Sequence, residues 1–487
     1  MLSLLIIKEF KNILQSPKFI ATFISCTLLI ILSVWVGIRE YKLAVKDYET
    51  GIALNRQDLS ERTNWMNVGN RVYRKPDPMQ IWTFGVHYDI GRVAHVNTWD
   101  SPELRSSIYS RDLVYAVFRF LDFNFIVVVV LSLFAIVFTY DAVSGEKESG
   151  MLKLTFSNGV PKSTYIVAKI IGSWAGLGIP LIVPMLLSFL MTILFQIPLT
   201  PDHYARLGGL ILAGALYFTF FIILGILISS WTSHSNASFL TLLVLWVTIT
   251  FVVPRLGVML SGQVLPVPTA AEVDSQIEGF SKSQFETLRQ NLSETWMKRN
   301  NDVQQQPESE RQTYRDKMEW TWLEEDQNAR KSVQENIESF TRKVHEDMDN
   351  RKREQIKLGL IFARWSPTSL FQLAAMRFSQ TDIFLKERYD DAIRTYQKDF
   401  SDVVEKKRRE NRAEGLRIEV DSDRGFRVQT PDLKKTIDVR SIPEFTHPAV
   451  SAGHAWRLSV WDIVLLAVIT GFVFLGALVR FLRYDVR

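Results

Sequence analysis

Six predominantly apolar runs, at about 19–38, 123–140, 166–195, 207–230, 236–259 and 461–482, constrain this 487-residue chain more than any other feature. Each reaches the length of at least about 18 residues that a helix needs to cross the hydrocarbon of a bilayer. The first run could be a cleaved signal peptide. Its apolar stretch is long, however, and no small-x-small site precedes Arg39, so it reads as a retained helix. The expected fold is an α-helical membrane protein with six transmembrane helices. The whole-chain averages of 47% hydrophobic and 22% charged residues hide this, because apolar and charged stretches cancel in the mean.

The flanks set an expected orientation. Lys8, Lys11 and Lys18 precede the first span, and Arg480, Arg483 and Arg487 sit at or after the end of the sixth. The positive-inside rule then places both termini in the cytoplasm, which an even number of spans allows, and the membrane is expected to be an inner (cytoplasmic) membrane. Residues 1–18, 141–165 and 483–487 fall on the cytoplasmic side, and residues 39–122 and 260–460 form two insertions on the far side. The net charge of +5 is spread over membrane flanks and mixed-sign helices, which suits a membrane surface better than nucleic acid. The single cysteine, Cys26, excludes an intramolecular disulfide and a cysteine metal cluster, so the far-side domain must fold by burial alone.

The segment from Leu2 to Leu14, ended by Ser16-Pro17, mixes apolar residues with Lys8, Glu9 and Lys11, as an amphipathic helix lying in the interface plane does. The third span carries Gly172, Gly176, Gly178, Pro180 and Pro184. Proline bends a membrane helix and small residues at i and i+4 admit a close neighbour, so Gly172, Gly176, Pro180 and Pro184 mark a kinked, tightly packed helix. In the second insertion, Phe285, Leu288, Leu292 and Trp296 recur at helical spacing, as do Val333, Ile337, Phe340, Val344 and Met348, with a break at Pro307. A further helical stretch is expected from about Ser369 to Arg412. A short hairpin is expected over Arg417–Val420 and Phe426–Val428, and a strand within Trp82–Val93. The far-side domain is therefore mainly helical with minor β structure, and its two insertions should pack together because they leave one bundle.

Between spans two and three lies Asp141-Ala142-Val143-Ser144-Gly145-Glu146-Lys147-Glu148-Ser149-Gly150-Met151-Leu152-Lys153-Leu154, followed by Pro161, Lys162 and Lys169. This compact loop is dense in both charge signs, which a simple positive-inside anchor does not require. A short helix from Glu146 to Thr155 would set Glu146 and Glu148 at its positive N-terminal end. The string Gly145-Glu146-Lys147-Glu148-Ser149-Gly150-Met151-Leu152 resembles the Gly-Glu-(Arg/Lys)-Glu-x-Gly-Thr-Leu signature of ATP-binding-cassette (ABC) exporter permeases of the bacterial second type. The Lys8-Glu9-Phe10 start is similar to that family's elbow helix, and six spans is its usual number. The large insertions, with Ser366-Pro367-Thr368-Ser369-Leu370-Phe371, look like those of its gliding-motility and copper-enzyme-maturation permeases. The resemblance implies that Gly145, Glu146, Lys147, Glu148, Gly150, Met151 and Leu152 belong to a coupling helix that seats in a groove of an ATPase subunit. Met151 stands where the signature has Thr, which puts a hydroxyl contact there in doubt.

The chain itself contains no G-x-x-x-x-G-K-[ST] loop to cradle phosphates. ATP and magnesium are therefore expected in a partner ATPase, and this chain is expected to be no enzyme and to hold no cofactor or metal. His87 and His95, and His447 and His454, lack metal-ligand spacing. The expected function is a permease subunit coupling ATP hydrolysis in the partner to export, or to mechanical transmission across the membrane. It would work as a dimer with a second copy or a paralogue. The alternative is a non-transporting membrane receptor or scaffold whose far-side, periplasmic domain binds a protein.

Overall fold

The computed structural model describes residues 1–63, 65, 68–100, 102–107, 121–412, 417–421, 425–429 and 436–484. The expected hairpin turn at 422–424 and the terminal Arg487 lie outside them. Six helices are long and apolar enough to span a membrane: Pro17–Glu61, Phe123–Glu148, Lys162–Leu194, Pro201–Trp231, Ser235–Val264 and Ala452–Leu482. They are called spans one to six below, and they match the six runs read from the sequence. The chain divides into two compact units, Met1–Val252 with Ser366–Arg487, and Val253–Trp365.

In the first unit, the leading helix Leu2–Leu14 is followed by Ser16, whose hydroxyl accepts from the Phe19 amide at 3.3 Å and caps span one, with Pro17 at the first helical position. Span one runs 23 residues past Ile38, the end of its apolar run, to Glu61. The cause is a continued one-faced pattern: Tyr41, Ala44, Gly51, Asn55 and Leu59 are all buried. Gly37 on this face is required, because a Cβ there would lie 2.4 Å from the Ile81 carbonyl oxygen.

Beyond the membrane runs, a three-stranded antiparallel sheet forms from β1 (Asn70–Tyr73), β2 (Val93–Val96) and β3 (Leu104–Arg105). Asn70 pairs with Val96, and Val93 pairs with both Tyr73 and Arg105. The strand expected within Trp82–Val93 is displaced. A 3₁₀ turn at Pro78–Ile81 and successive turns occupy that stretch, and the strand begins only at Val93. The helix expected over Ser369–Arg412 is two helices, Pro367–Phe378 and Leu385–Arg412. Gln380 between them adopts φ 54°, and the Asp382 carboxylate accepts the Phe384 amide at 2.8 Å, which starts the second helix afresh. Leu385, Tyr389, Ile393, Tyr396, Phe400 and Val404 line one face of that second helix. They share a core with Leu59, Val72, Ala94 and Val96, so the two insertions do fold together. A separate pair, β4 (Arg417–Asp421) and β5 (Gly425–Gln429), is antiparallel with Ile418 opposite Val428.

Within this part Arg74 is buried, and its guanidinium donates to the His87 ring Nδ1 at 3.0 Å and to the His87 carbonyl at 2.6 Å. Burial, with Arg74 and Arg92 nearby, holds His87 well below its ordinary pKa, so the ring is neutral in the fold. An unfolded chain binds the proton below pH about 6.5, and the folded one does not. Stability contributed by His87 is therefore complete above that pH and is lost as pH falls below it, at up to about 1.4 kcal/mol per pH unit. Thermal unfolding of the full chain at pH 7 and pH 5 should show a drop that His87→Gln reduces. An equal drop in both proteins would assign the acid sensitivity to other groups.

Helix Pro367–Phe378 is buried among spans four, five and six. Phe371 stacks on Tyr217 of span four at 5.1 Å, and Gly209 of span four is needed because a Cβ there would meet the Phe378 ring at 2.4 Å. Two π-helical stretches flank it. In span two Ile126–Leu131 leaves the Val128 carbonyl to accept from the Tyr217 hydroxyl at 3.1 Å. In span five Thr248–Val252 leaves the Ile249 carbonyl to accept from the Ser366 hydroxyl at 2.6 Å. Such stretches loosen the ordinary backbone pairing and free acceptors for neighbours. Arg377 of the buried helix pairs with Asp462 of span six and donates to the Leu458 carbonyl.

The second unit is a long antiparallel helical hairpin. Thr269 and Glu272 form a capping box that opens Ala270–Gln304, a turn through Pro307 follows, and Arg311–Ala363 returns. Its register is fixed along its length. Phe280 stacks on Phe340 at 4.0 Å and Arg299 bonds Glu325 and Asp326 at 2.7 and 2.9 Å; the preceding helix Val253–Val264 packs against the returning arm, where a Cβ on Gly257 would lie 2.8 Å from the Ala363 amide nitrogen.

Candidate functional site: the loop between spans two and three

The signature loop folds as two short helices, Ser144–Glu148 and Met151–Ser157, hinged at Gly150 with φ 72°. A left-handed backbone is least costly for glycine, so Gly150 sets the angle between them. The Val143 and Ser144 amides both donate to the Ser229 hydroxyl of span four, at 2.9 and 3.0 Å, which fastens the entry to the loop. Gly145 lies close by, and a Cβ there would only touch Asp141 and Ser235 at ordinary contact distances.

Each charged residue of the string then holds a different element. The Glu146 carboxylate accepts from the Tyr165 hydroxyl at 2.6 Å and from the Lys169 ammonium at 3.0 Å, both on span three, and Lys8 of the leading helix lies 3.8 Å away. Lys169 also donates to Glu9 of the leading helix at 2.7 Å, so one buried ammonium bridges two carboxylates. The Lys147 ammonium donates to the Ser230 and Thr232 carbonyls, at 2.5 and 2.9 Å, and lies over the Tyr484 ring at 4.5 Å. Those carbonyls end span four, where a helix has acceptors to spare and a cation is favoured. Glu148 accepts from the Ser235 amide and hydroxyl at 3.0 and 2.8 Å, capping the start of span five. At the end of the loop Lys162 donates to the Leu482 and Tyr484 carbonyls, closing span six onto it.

The second short helix is fastened by Leu152, which is 2% exposed, and by Phe156, which packs on Tyr165 and Phe481 at 5.4 and 5.9 Å. Its other side is open: Met151 is 43% and Leu154 60% exposed, with Lys153 exposed between them. Gly172 and Gly176 of span three face the leading helix. A Cβ at Gly172 would lie 2.6 Å from Glu9 Cβ, and one at Gly176 3.0 Å from Ile13 Cδ1, so these glycines let the leading helix approach closely enough for Glu9 to reach Lys169. Pro180 and Pro184 lie within span three, which runs unbroken from Lys162 to Leu194. Sequence reasoning did not assign Glu9, Tyr165, Lys169, Ser229 or Ser235 to this site. The one signal it offered was Lys169, a cation inside an otherwise apolar run.

Of the histidines, His234 lies beside the loop, 3.3 Å from the Glu148 carboxylate, whereas His87 is on Arg74 and His447 is 2.9 Å from the Tyr48 hydroxyl; among the described residues no three His, Cys, Asp or Glu side chains converge as a metal site. The loop is thus a mechanical junction in which one short segment is bonded to the leading helix and to spans three, four, five and six. No curated protein matches the chain. The sequence does match, over residues 4–486, the family described as ABC-2 family transporter protein, and the chain belongs to that family of transporter membrane subunits.

Proposed function

We propose that this chain is the permease subunit of an ABC transporter and that motion driven by a separate ATPase subunit enters through the helices Ser144–Glu148 and Met151–Ser157. The observation that carries this reading is the Glu9–Lys169–Glu146 bridge, which ties the loop to the leading helix and span three through buried charge. A loop held this way cannot shift without moving the helices it grips. Glu146, Lys147 and Glu148 set the loop's position from within, Gly145, Gly150 and Leu152 shape it, and Met151, Lys153 and Leu154 present the open face to the ATPase.

In this reading the loop and both termini are cytoplasmic, the membrane is the bacterial inner membrane, and the sheet and long hairpin are extracytoplasmic. Two permease chains face two ATPases, which bind the ATP and magnesium. Force transmission to the extracytoplasmic hairpin, or export of an amphiphile, suits the apolar spans better than passage of a soluble solute. The test is co-purification with the cognate ATPase. Met151→Asp with Leu154→Asp should abolish capture while leaving the thermal unfolding of the permease unchanged, since both side chains are exposed. Glu146→Lys with Glu148→Lys should abolish capture and also lower the unfolding temperature. Undiminished capture by both variants would place the ATPase contact elsewhere.

A further inference from the structure

We propose that span one, just past the end of its apolar run, and the end of span three form a binding site for the phosphate headgroup of an anionic phospholipid. Trp35, Arg39, Lys42, Lys46 and Phe195 line a groove of about 320 Å³ there. Arg39, Lys42 and Lys46 follow one another at i, i+3 and i+7, so all three project from one face of the helix, and all three are exposed. Among the described residues none of them is within ion-pair distance of an acid; the adjacent Glu40 feels both Arg92 and Arg39, and Asp47 is engaged by Arg92 at 3.8 Å. The Lys42 ammonium lies 5.0 Å from the centre of the Phe195 ring, held against the end of span three instead of extending into water.

The depth of the site matches a headgroup. Arg39 is the first charge after the apolar run, and the cations begin where the hydrocarbon ends and extend over about 10 Å of helix, spanning the polar layer of about 5–8 Å. Below the cations the same helix face is exposed and apolar through Leu28, Leu32 and Trp35, and on span three through Leu190, Ile193 and Leu194. An acyl chain fits that lining, whereas a free phosphate ion would leave it unused. A second copy of this chain related by a two-fold axis would bring two sets of three unpaired cations together, which Coulomb repulsion disfavours. The cations also stand at the opposite end of the apolar run of span one from Lys18, so they work against the positive-inside bias and need another reason to be there. The inference requires only that span one crosses the membrane and is independent of any ATPase partner.

The test uses the full chain in neutral detergent, offered equal amounts of phosphatidylglycerol and phosphatidylcholine, with bound lipid counted by native mass spectrometry. The wild-type protein should favour phosphatidylglycerol, and each cation removed in the series ending at Arg39→Gln/Lys42→Gln/Lys46→Gln should cut the preference by about fivefold. The thermal unfolding temperature should stay at the wild-type value, and Lys42→Arg should keep the preference. No preference in the wild type, or an undiminished one in the triple variant, overturns the proposal. Displacement of the lipid by millimolar inorganic phosphate would make this an ion site, and efficient disulfide dimers of Leu43→Cys in native membranes would show that a second copy covers it. Either result also overturns the proposal.

Discussion

Lys169→Met should be among the most damaging single changes in this protein. The ammonium is 8% exposed and lies 2.7 Å from Glu9 and 3.0 Å from Glu146, so its removal leaves two carboxylates facing each other in a space built for one cation between them. Breaking a buried ion pair from one side costs about 3–5 kcal/mol, because the remaining charge is still desolvated. The loss should appear as a large fall in unfolding temperature and in capture of the ATPase, since the leading helix and the loop lose their common anchor. Lys169→Met combined with Glu9→Gln and Glu146→Gln should recover most of the stability, because neutral amides can remain hydrogen-bonded there. If the single variant unfolds like the wild type, the bridge is not holding the junction.

Arg377→Met should be comparably severe through a different part of the molecule. Asp462 is fully buried in span six, and Arg377 both pairs with it and satisfies the Leu458 carbonyl. Without the guanidinium the carboxylate sits in an apolar bundle at a cost of about 3–5 kcal/mol, and helix Pro367–Phe378 loses its tie to span six. The double variant Arg377→Met/Asp462→Leu should regain much of that stability, because apolar replacements of a buried pair are often tolerated. The measurement is the yield of monodisperse protein together with thermal unfolding. A single variant as stable as the wild type would show that the pair is electrostatically idle.

The spans were readable because hydrocarbon imposes a length and composition that no other environment requires. The long hairpin was readable because its stripes, such as Val333, Ile337 and Phe340, repeat at helical spacing. The extension of span one to Glu61 was not, since its buried face includes Gly51 and Asn55, which carry no apolar signal. Nor was the burial of Pro367–Phe378, whose sequence suits a half-exposed helix and whose neighbours are distant along the chain, in spans four, five and six. At the site, the signature string located the loop, but the partners of its charges did not follow from it. Glu146 meets Lys169 and Lys169 meets Glu9 only because Gly172 and Gly176 admit the leading helix, and such a meeting depends on three-dimensional packing that a pattern along the chain does not encode.

Span one is a single helix of 45 residues, about 67 Å long at 1.5 Å per residue. Near one end Lys18 bonds Tyr140 and lies 3.7 Å from Asp141 at the entry to the signature loop, and toward the other Asn55 bonds Asn70 of the sheet. In the proposed permease reading it would act as a lever arm with no break between these attachments, which lie about 56 Å apart along the helix, so that a tilt of about 5° at one displaces the other by about 5 Å. A small stroke at the loop would then become a displacement of about one helical turn at the sheet, with no joint along the way at which the work could be lost.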